Sequence, residues 1–211
     1  MPSISSSQCL VKVEATDAVG NVGSDTSNAV FTISPAPVTA EPVTSIELSE
    51  GWNLISPMLY IPSENQDPAT LLAAVKDNVD IVWGNYDPAT GGWNTYNPSL
   101  EVNDLTAMRD GKGYWVNMAA SDTLDLSTLG TELPEPPQVP PTYSVVVGWN
   151  LIGFKSTTPK AASDYLSAIS GQYTMIYGFA NDAYFVVQRS QDLEPGKGYW
   201  IAVTESGTIY P

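Results

Sequence analysis

The stretch Val146-Val147-Gly148-Trp149-Asn150-Leu151-Ile152 decides how this chain is read, because it occurs twice. Its earlier copy is Leu48-Ser49-Glu50-Gly51-Trp52-Asn53-Leu54-Ile55. Each copy is answered downstream by a second motif, Asp110-Gly111-Lys112-Gly113-Tyr114-Trp115-Val116 and then Pro195-Gly196-Lys197-Gly198-Tyr199-Trp200-Ile201. Two motifs recurring in the same order define an internal repeat, each copy being one supersecondary unit. The first copy spans residues 43–130 and the second residues 142–211.

The two copies follow one recipe. A strand (45–48 or 143–147) leads into a tight turn at Gly-Trp-Asn, and an apolar strand starts at Leu54-Ile55 or Leu151-Ile152. A short helix follows. In the first copy Asp67 reads as the N-cap and Pro68 as the first helical residue, with Leu71, Leu72 and Val75 facing inward. In the second copy Thr158 reads as the cap and Pro159 as the start. Ala162, Tyr165, Leu166 and Ile169 form the buried stripe there, and Gly171 is the stop. Next, Ile81-Val82-Trp83-Gly84 matches Met175-Ile176-Tyr177-Gly178 as a strand entering a hairpin. That hairpin turns at Asn181-Asp182 in the second copy and through the longer 87–92 in the first. The Gly-Lys-Gly-Tyr-Trp strand and a short last strand (123–126 or 208–210) complete each unit. The expected fold class is α+β, mostly β: two tandem small antiparallel-sheet modules with one helix each.

Residues 1–34 read differently. Cys9, Val11, Val13 and Ala15 alternate with Leu10, Lys12 and Glu14, the pattern of a half-buried strand. Residues 17–21 supply turn chemistry, and 28–33 read as the returning strand. Cys9 is read as a small buried hydrophobe, against the alternative of a reactive or intermolecular thiol. Asp17, Asn21 and Asp25 are the candidate calcium ligands; the competing reading is an Asx turn that satisfies its own backbone. Segments 35–42 and 131–141 are proline-spaced, which favours extended linkers that hold domains apart.

Composition narrows the function. The chain has 211 residues, 8 Lys and Arg against 23 acids, a formal net charge of −15, one Cys and no His. Such a surface repels nucleic acid and anionic lipid, while its carboxylates leave calcium as the one cofactor to consider. No apolar run reaches membrane-spanning length, and residues 1–8 lack the basic start and apolar stretch of a signal peptide. A signal is therefore expected upstream or already removed, with the chain a piece of a longer polypeptide.

Without histidine, His-assisted triads and most transition-metal sites are out of reach. No carboxylate pair has neighbours that would hold one acid protonated and the other ionised. The few lysines fall mostly in turns, so Ser-Lys chemistry has no buried base, and no enzymatic activity is expected. The Gly-Lys-Gly segments lead into Tyr-Trp strands, whereas a phosphate loop leads through Ser or Thr into a helix. They read as turns, with Lys112 and Lys197 exposed.

The succession Gly-Trp-Asn-Leu-Ile, helix, Gly-x-Gly-Tyr-Trp resembles a repeat module found near the C-termini of large secreted or surface-anchored prokaryotic proteins. Residues 13–25, VEATDAVGNVGSD, resemble the last hairpin of bacterial and archaeal extracellular immunoglobulin-like domains. The resemblance implies a non-catalytic structural or interaction region of a secreted or cell-surface protein, such as a stalk, envelope layer, filament or adhesin part. Its partners would be other domains of the same polypeptide or neighbouring subunits.

The aromatic residues keep an alternative open. Trp52, Trp115, Trp149 and Trp200 hold equivalent places and are read as the aromatic core of each unit. Trp83 and Trp93 have no tryptophan counterparts. Trp93, Tyr86 and Tyr96, with Asn94 beside them, would stack on sugar rings and make the chain a carbohydrate-binding accessory module of an extracellular hydrolase. The plainer reading puts Trp83 in the core and makes Trp93 a cross-strand partner within its own hairpin.

Overall fold

The computed structural model describes residues 6–33, 42–132 and 141–211, and the chain divides into two compact units, Met1–Glu41 and Pro42–Pro211. The proline-spaced segments fall outside the described residues, apart from Pro42, Thr131, Glu132 and Pro141.

The first unit is one long antiparallel hairpin. Strand β1 (Ser6–Cys9) pairs with β4 (Phe31–Ile33), and β2 (Lys12–Thr16) pairs with β3 (Val22–Thr26). The return arm thus begins at Val22 rather than at residue 28, because the Asp17 turn is tight. The Asp17 carboxylate accepts from the backbone N–H groups of Val19 and Asn21 (2.9 Å each) and from the Asn21 amide (2.7 Å), and Gly20 takes a φ of 90°. These hydrogen bonds, the Asn21 side chain first among them, hold the Asp17 carboxyl below its ordinary pKa. This is the Asx turn. Asp25 lies opposite Val13 on the return strand, with its carboxylate on the Thr26 N–H. The half-buried strand is corrected: every described side chain from Leu10 to Val30 is exposed and Cys9 is only half-buried, since a two-stranded ribbon has no second layer.

The second unit carries both sequence copies. Module one comprises β5 (Ser45–Leu48), β6 (Gly51–Ile55), α1 (Pro68–Leu71), β7 (Val79–Gly84), β8 (Asn94–Tyr96), β9 (Tyr114–Met118) and β10 (Asp122–Asp125). Module two begins with β11 (Tyr143–Val145), β12 (Gly148–Gly153), β13 (Lys160–Ala161) and α2 (Ala162–Tyr165). It continues with β14 (Tyr173–Ala180), β15 (Ala183–Val186), β16 (Asp192–Leu193), β17 (Gly198–Val203) and β18 (Gly207–Ile209). The main sheets have the same antiparallel order, β6-β9-β7-β8 and β12-β17-β14-β15, each flanked by a two-stranded ribbon, β5–β10 or β11–β18. The structure is α+β and mostly β, as the pattern predicted.

Local chemistry explains the motifs. Gly51 and Gly148 adopt φ of 85° and 104°, where a side chain is disfavoured. Two residues on, the Asn closes the turn. Asn53 accepts from Ser49 N (2.9 Å) and donates to the carbonyls of Ser49 (2.7 Å) and Gly51 (3.0 Å). Asn150 makes the same three bonds to Val146 N, Val146 O and Gly148 O at 3.0, 2.6 and 3.1 Å. Because Asn150 is buried, Asn150→Ala should lower unfolding free energy by about 2–3 kcal/mol, three neutral hydrogen bonds at about 1 kcal/mol each. Urea denaturation measures it, and a loss below about 0.5 kcal/mol would show that the clamp is dispensable.

Each module has its own core under the helix side of its sheet. Leu71, Leu72 and Val75 pack with Val82, Tyr114 and Val116 in module one, and Tyr165, Leu166 and Ile169 with Ile176, Tyr199 and Ile201 in module two. Asp67 caps α1 through the Ala69 N–H at 3.2 Å, as the sequence indicates. The start of α2 is corrected: it begins at Ala162, not Pro159, and Ala161 offers no side-chain cap. Lys160 and Ala161 are drawn into a pairing with Leu193 and Asp192. The helix N–H groups of Ala162 and Ser163 bond instead to the carbonyls of Gln191 (2.9 Å) and Arg189 (2.8 Å).

Candidate functional site: an aromatic seam between the modules

Tyr114 and Trp115 are neighbours on β9, and neighbours on a strand point to opposite faces. Tyr114 points into the core of module one, where its hydroxyl accepts the Arg109 N–H at 2.6 Å; Tyr199 does the same for Glu194 N at 2.8 Å. Trp115 and Trp200 therefore face the other way. This corrects the assignment of the four repeated tryptophans to each module's own core. They lie on the outer sheet faces, where a third cluster forms from both modules: buried Leu54, Trp115 and Leu151, with Trp52, Tyr86, Trp93, Phe179 and Trp200 packed around them.

The seam is pseudo-symmetric. Trp115 meets Trp52 of its own module (6.1 Å between ring centroids) and Phe179 and Tyr184 of the other (4.7 and 6.0 Å). Trp200 meets Trp149 of its own module (6.4 Å) and Tyr86 and Trp93 of the other (4.8 and 5.9 Å). Backbone bridges repeat the relation, Ile55 with Lys197 and Ile152 with Lys112. The second glycines of the Gly-Lys-Gly segments allow this approach. A Cβ on Gly113 would lie 2.7 Å from Leu151 Cγ, and one on Gly198 would lie 2.9 Å from the Ile55 carbonyl oxygen. The two modules are thus joined through a shared core rather than held apart, since each sheet has a second apolar face that packs against the other's.

One further tie crosses the seam, and a second joins module two to the segment between the modules. The Tyr143 hydroxyl donates to the Asp110 carboxylate, and burial, then Asp110, raises that phenol far above its usual pKa. Lys155 is the buried lysine that the sequence did not reveal; burial lowers its pKa. Its Nζ donates to the Glu132 carbonyl at 2.6 Å, while the adjacent Ser156 hydroxyl donates to Thr158 O at 2.7 Å, so the two form no nucleophile–base pair.

The seam opens into two adjoining aromatic grooves. One, of about 400 Å³, is lined by Trp52, Trp83, Trp93, Trp115, Phe179, Tyr184 and Trp200. The other, of about 490 Å³, is lined by Tyr86, Trp149, Tyr177, Tyr184 and Trp200, so Tyr184 and Trp200 serve both. Of the candidate sugar-stacking residues, Trp93 and Tyr86 are here, 5.0 Å apart. Tyr96 is not: it is buried in the core of module one. Asn94 turns to the Asp104 carboxylate at 3.3 Å. Trp83 is corrected from core to seam face, 37 % exposed and 5.3 Å from Trp52. Trp93 packs on Trp83 and Tyr86 of its own hairpin and also reaches Trp200. Sequence reasoning missed Phe179 and Tyr184, although Tyr184 holds the register place of Trp93 in its own hairpin.

Among the described residues no group of three or more His, Cys, Asp or Glu side chains gathers, and no helix is long and apolar enough to cross a membrane. The chain matches no family model, no curated protein and no solved structure.

Proposed function

We propose that this chain is a non-catalytic interaction region of a secreted or cell-surface protein, whose second unit presents an aromatic face to a partner. The observation that carries this reading is the seam. Two modules of the same topology spend their second sheet faces on each other, and the rings left over line open grooves rather than a set of reacting groups. Acidic surface and the absence of histidine fit the same reading. Antibody raised against the whole chain should label intact cells that make it. Labelling only after permeabilisation would overturn the assignment. A second reading, a carbohydrate-binding accessory module of an extracellular hydrolase, is favoured by one observation: Trp83, Trp149 and Tyr184 keep 37 %, 41 % and 56 % of their surface open beside the grooves.

A further inference from the structure

The groove rim specifies what kind of ligand fits between those rings. With the Asn117 amide oriented to satisfy both neighbours, its oxygen accepts the Trp52 indole N–H (3.1 Å) and its nitrogen donates to the Asp80 carboxylate (3.1 Å). Asp80 itself is exposed. From the other module the β14–β15 turn brings Asp182 Oδ1 to 3.9 Å from where a side chain on Gly51 would begin. The wall is apolar and aromatic, and the carboxylates of Asp80 and Asp182 lie beside its Trp52 side, on a chain of net charge −15. The Trp52 N–H is already committed to Asn117, and that of Trp200 is buried.

Three ligand classes separate on these grounds. A polyanion would be repelled by the surface charge. A proline-rich peptide presents carbonyl acceptors and lacks N–H donors at its prolines, so it would leave the carboxylates beside the rings without partners. A neutral sugar chain presents hydroxyl donors around the edge of each ring and apolar C–H faces above and below. That matches carboxylates at a rim and open aromatic faces in a wall.

We propose that the paired grooves bind a neutral polysaccharide, one chain lying across both through the shared rings of Tyr184 and Trp200. This rests on the reading of the chain as a non-catalytic interaction region and names the partner of its aromatic face. Binding to a neutral chain is insensitive to added salt, unlike binding to a charged polymer.

The test uses the full chain in affinity electrophoresis against a panel of soluble neutral glucans, mannans, xylans and galactans. An acidic polysaccharide and a synthetic proline-rich peptide serve as comparators. Retention by at least one neutral polymer is expected, unchanged by salt. Tyr184→Ala should weaken it tenfold or more, because that exposed ring serves both grooves. Asp80→Ala, which removes an exposed acceptor and no aromatic packing, should weaken it several-fold. Retention by none of the neutral polymers, retention of the acidic polymer or the peptide instead, or neutral binding indifferent to both variants would each overturn the proposal. Failure here leaves the surface-labelling result untouched. Cleavage of a retained polymer would refute the non-catalytic reading itself.

Discussion

Gly153→Ala should cost this protein about 3 kcal/mol, the upper end of what an added methyl costs in a packed site, because the methyl would enter the seam where the two modules touch. A Cβ at Gly153 would lie 2.0 Å from Ser56 Oγ and 2.8 Å from both the backbone nitrogen and the carbonyl oxygen of Lys112. Position 56 is the counterpart of position 153 in the other copy, five residues after the glycine of Gly-Trp-Asn-Leu-Ile. Only one of the pair has room for a side chain, which explains why the copies differ there. Ser56 is fully buried and its hydroxyl donates only to Pro57 O at 3.3 Å. Ser56→Gly should therefore cost about 1 kcal/mol or less. In the double variant the clash with Ser56 disappears and the clash with the Lys112 backbone remains, so rescue should be partial. A double-mutant cycle in urea should return a coupling of at least about 1 kcal/mol. Strict additivity, or a harmless Gly153→Ala, would mean that the modules do not meet as described.

That contact marks the boundary of what the sequence discloses. Period-two alternation, turn residues and doubled motifs disclose the strands of the two main sheets, the hairpin within each module and the module order, because these depend on near neighbours. Asn181 and Asp182 read as the tight turn, and both take positive φ, 50° and 57°. The seam depends on what lies opposite. Tyr114 and Trp115 cannot share a face, so one ring of each Tyr-Trp pair must leave its module's core. Where it goes is decided by the other copy, which a pattern read within one copy does not contain. The helix start fails for the same reason. Thr158-Pro159 is good local start chemistry, yet carbonyls of Arg189 and Gln191, close only in the folded chain, take over the capping role. The candidate sugar site divides along this line too. Trp93 and Tyr86 reach the grooves, whereas Tyr96, close to them in sequence, turns into the core of module one.

Raising the pH from about 10 to 11.5 should remove most of the stability of the second unit, and the cause lies in its buried phenols. Tyr114, Tyr165 and Tyr199 expose 0 %, 1 % and 3 % of their surface. Burial raises all three, Tyr199 to about 12 and the other two further, with the backbone hydrogen bonds they accept from Arg109, Lys155 and Glu194 opposing it. In the unfolded chain each ionises near 10. The folded state therefore holds protons that the unfolded state has lost, so stability is intact below about pH 10 and falls as pH rises towards the folded values. Each tyrosine contributes about 0.7 kcal/mol per pH unit at pH 10, rising towards about 1.4 by pH 11, and three together approach about 4 kcal/mol per unit, with Tyr143 adding in the same direction. Lys155 and Lys112 work oppositely, since burial lowers the pKa of each, but that relief is half-complete at about pH 10.5, the unfolded lysine value, and fades above it. Against a typical reserve of about 5–15 kcal/mol, cooperative unfolding is expected near pH 11–12. Urea titrations at closely spaced pH values give the slope directly. Tyr199→Phe should reduce it by about 1.4 kcal/mol per unit while lowering neutral-pH stability by about 1 kcal/mol, the Glu194 N–H having lost its acceptor. A slope near zero between pH 10 and 11.5, or phenolate absorbance rising fully near pH 10 in the folded protein, would show that these hydroxyls are not sealed in the two cores.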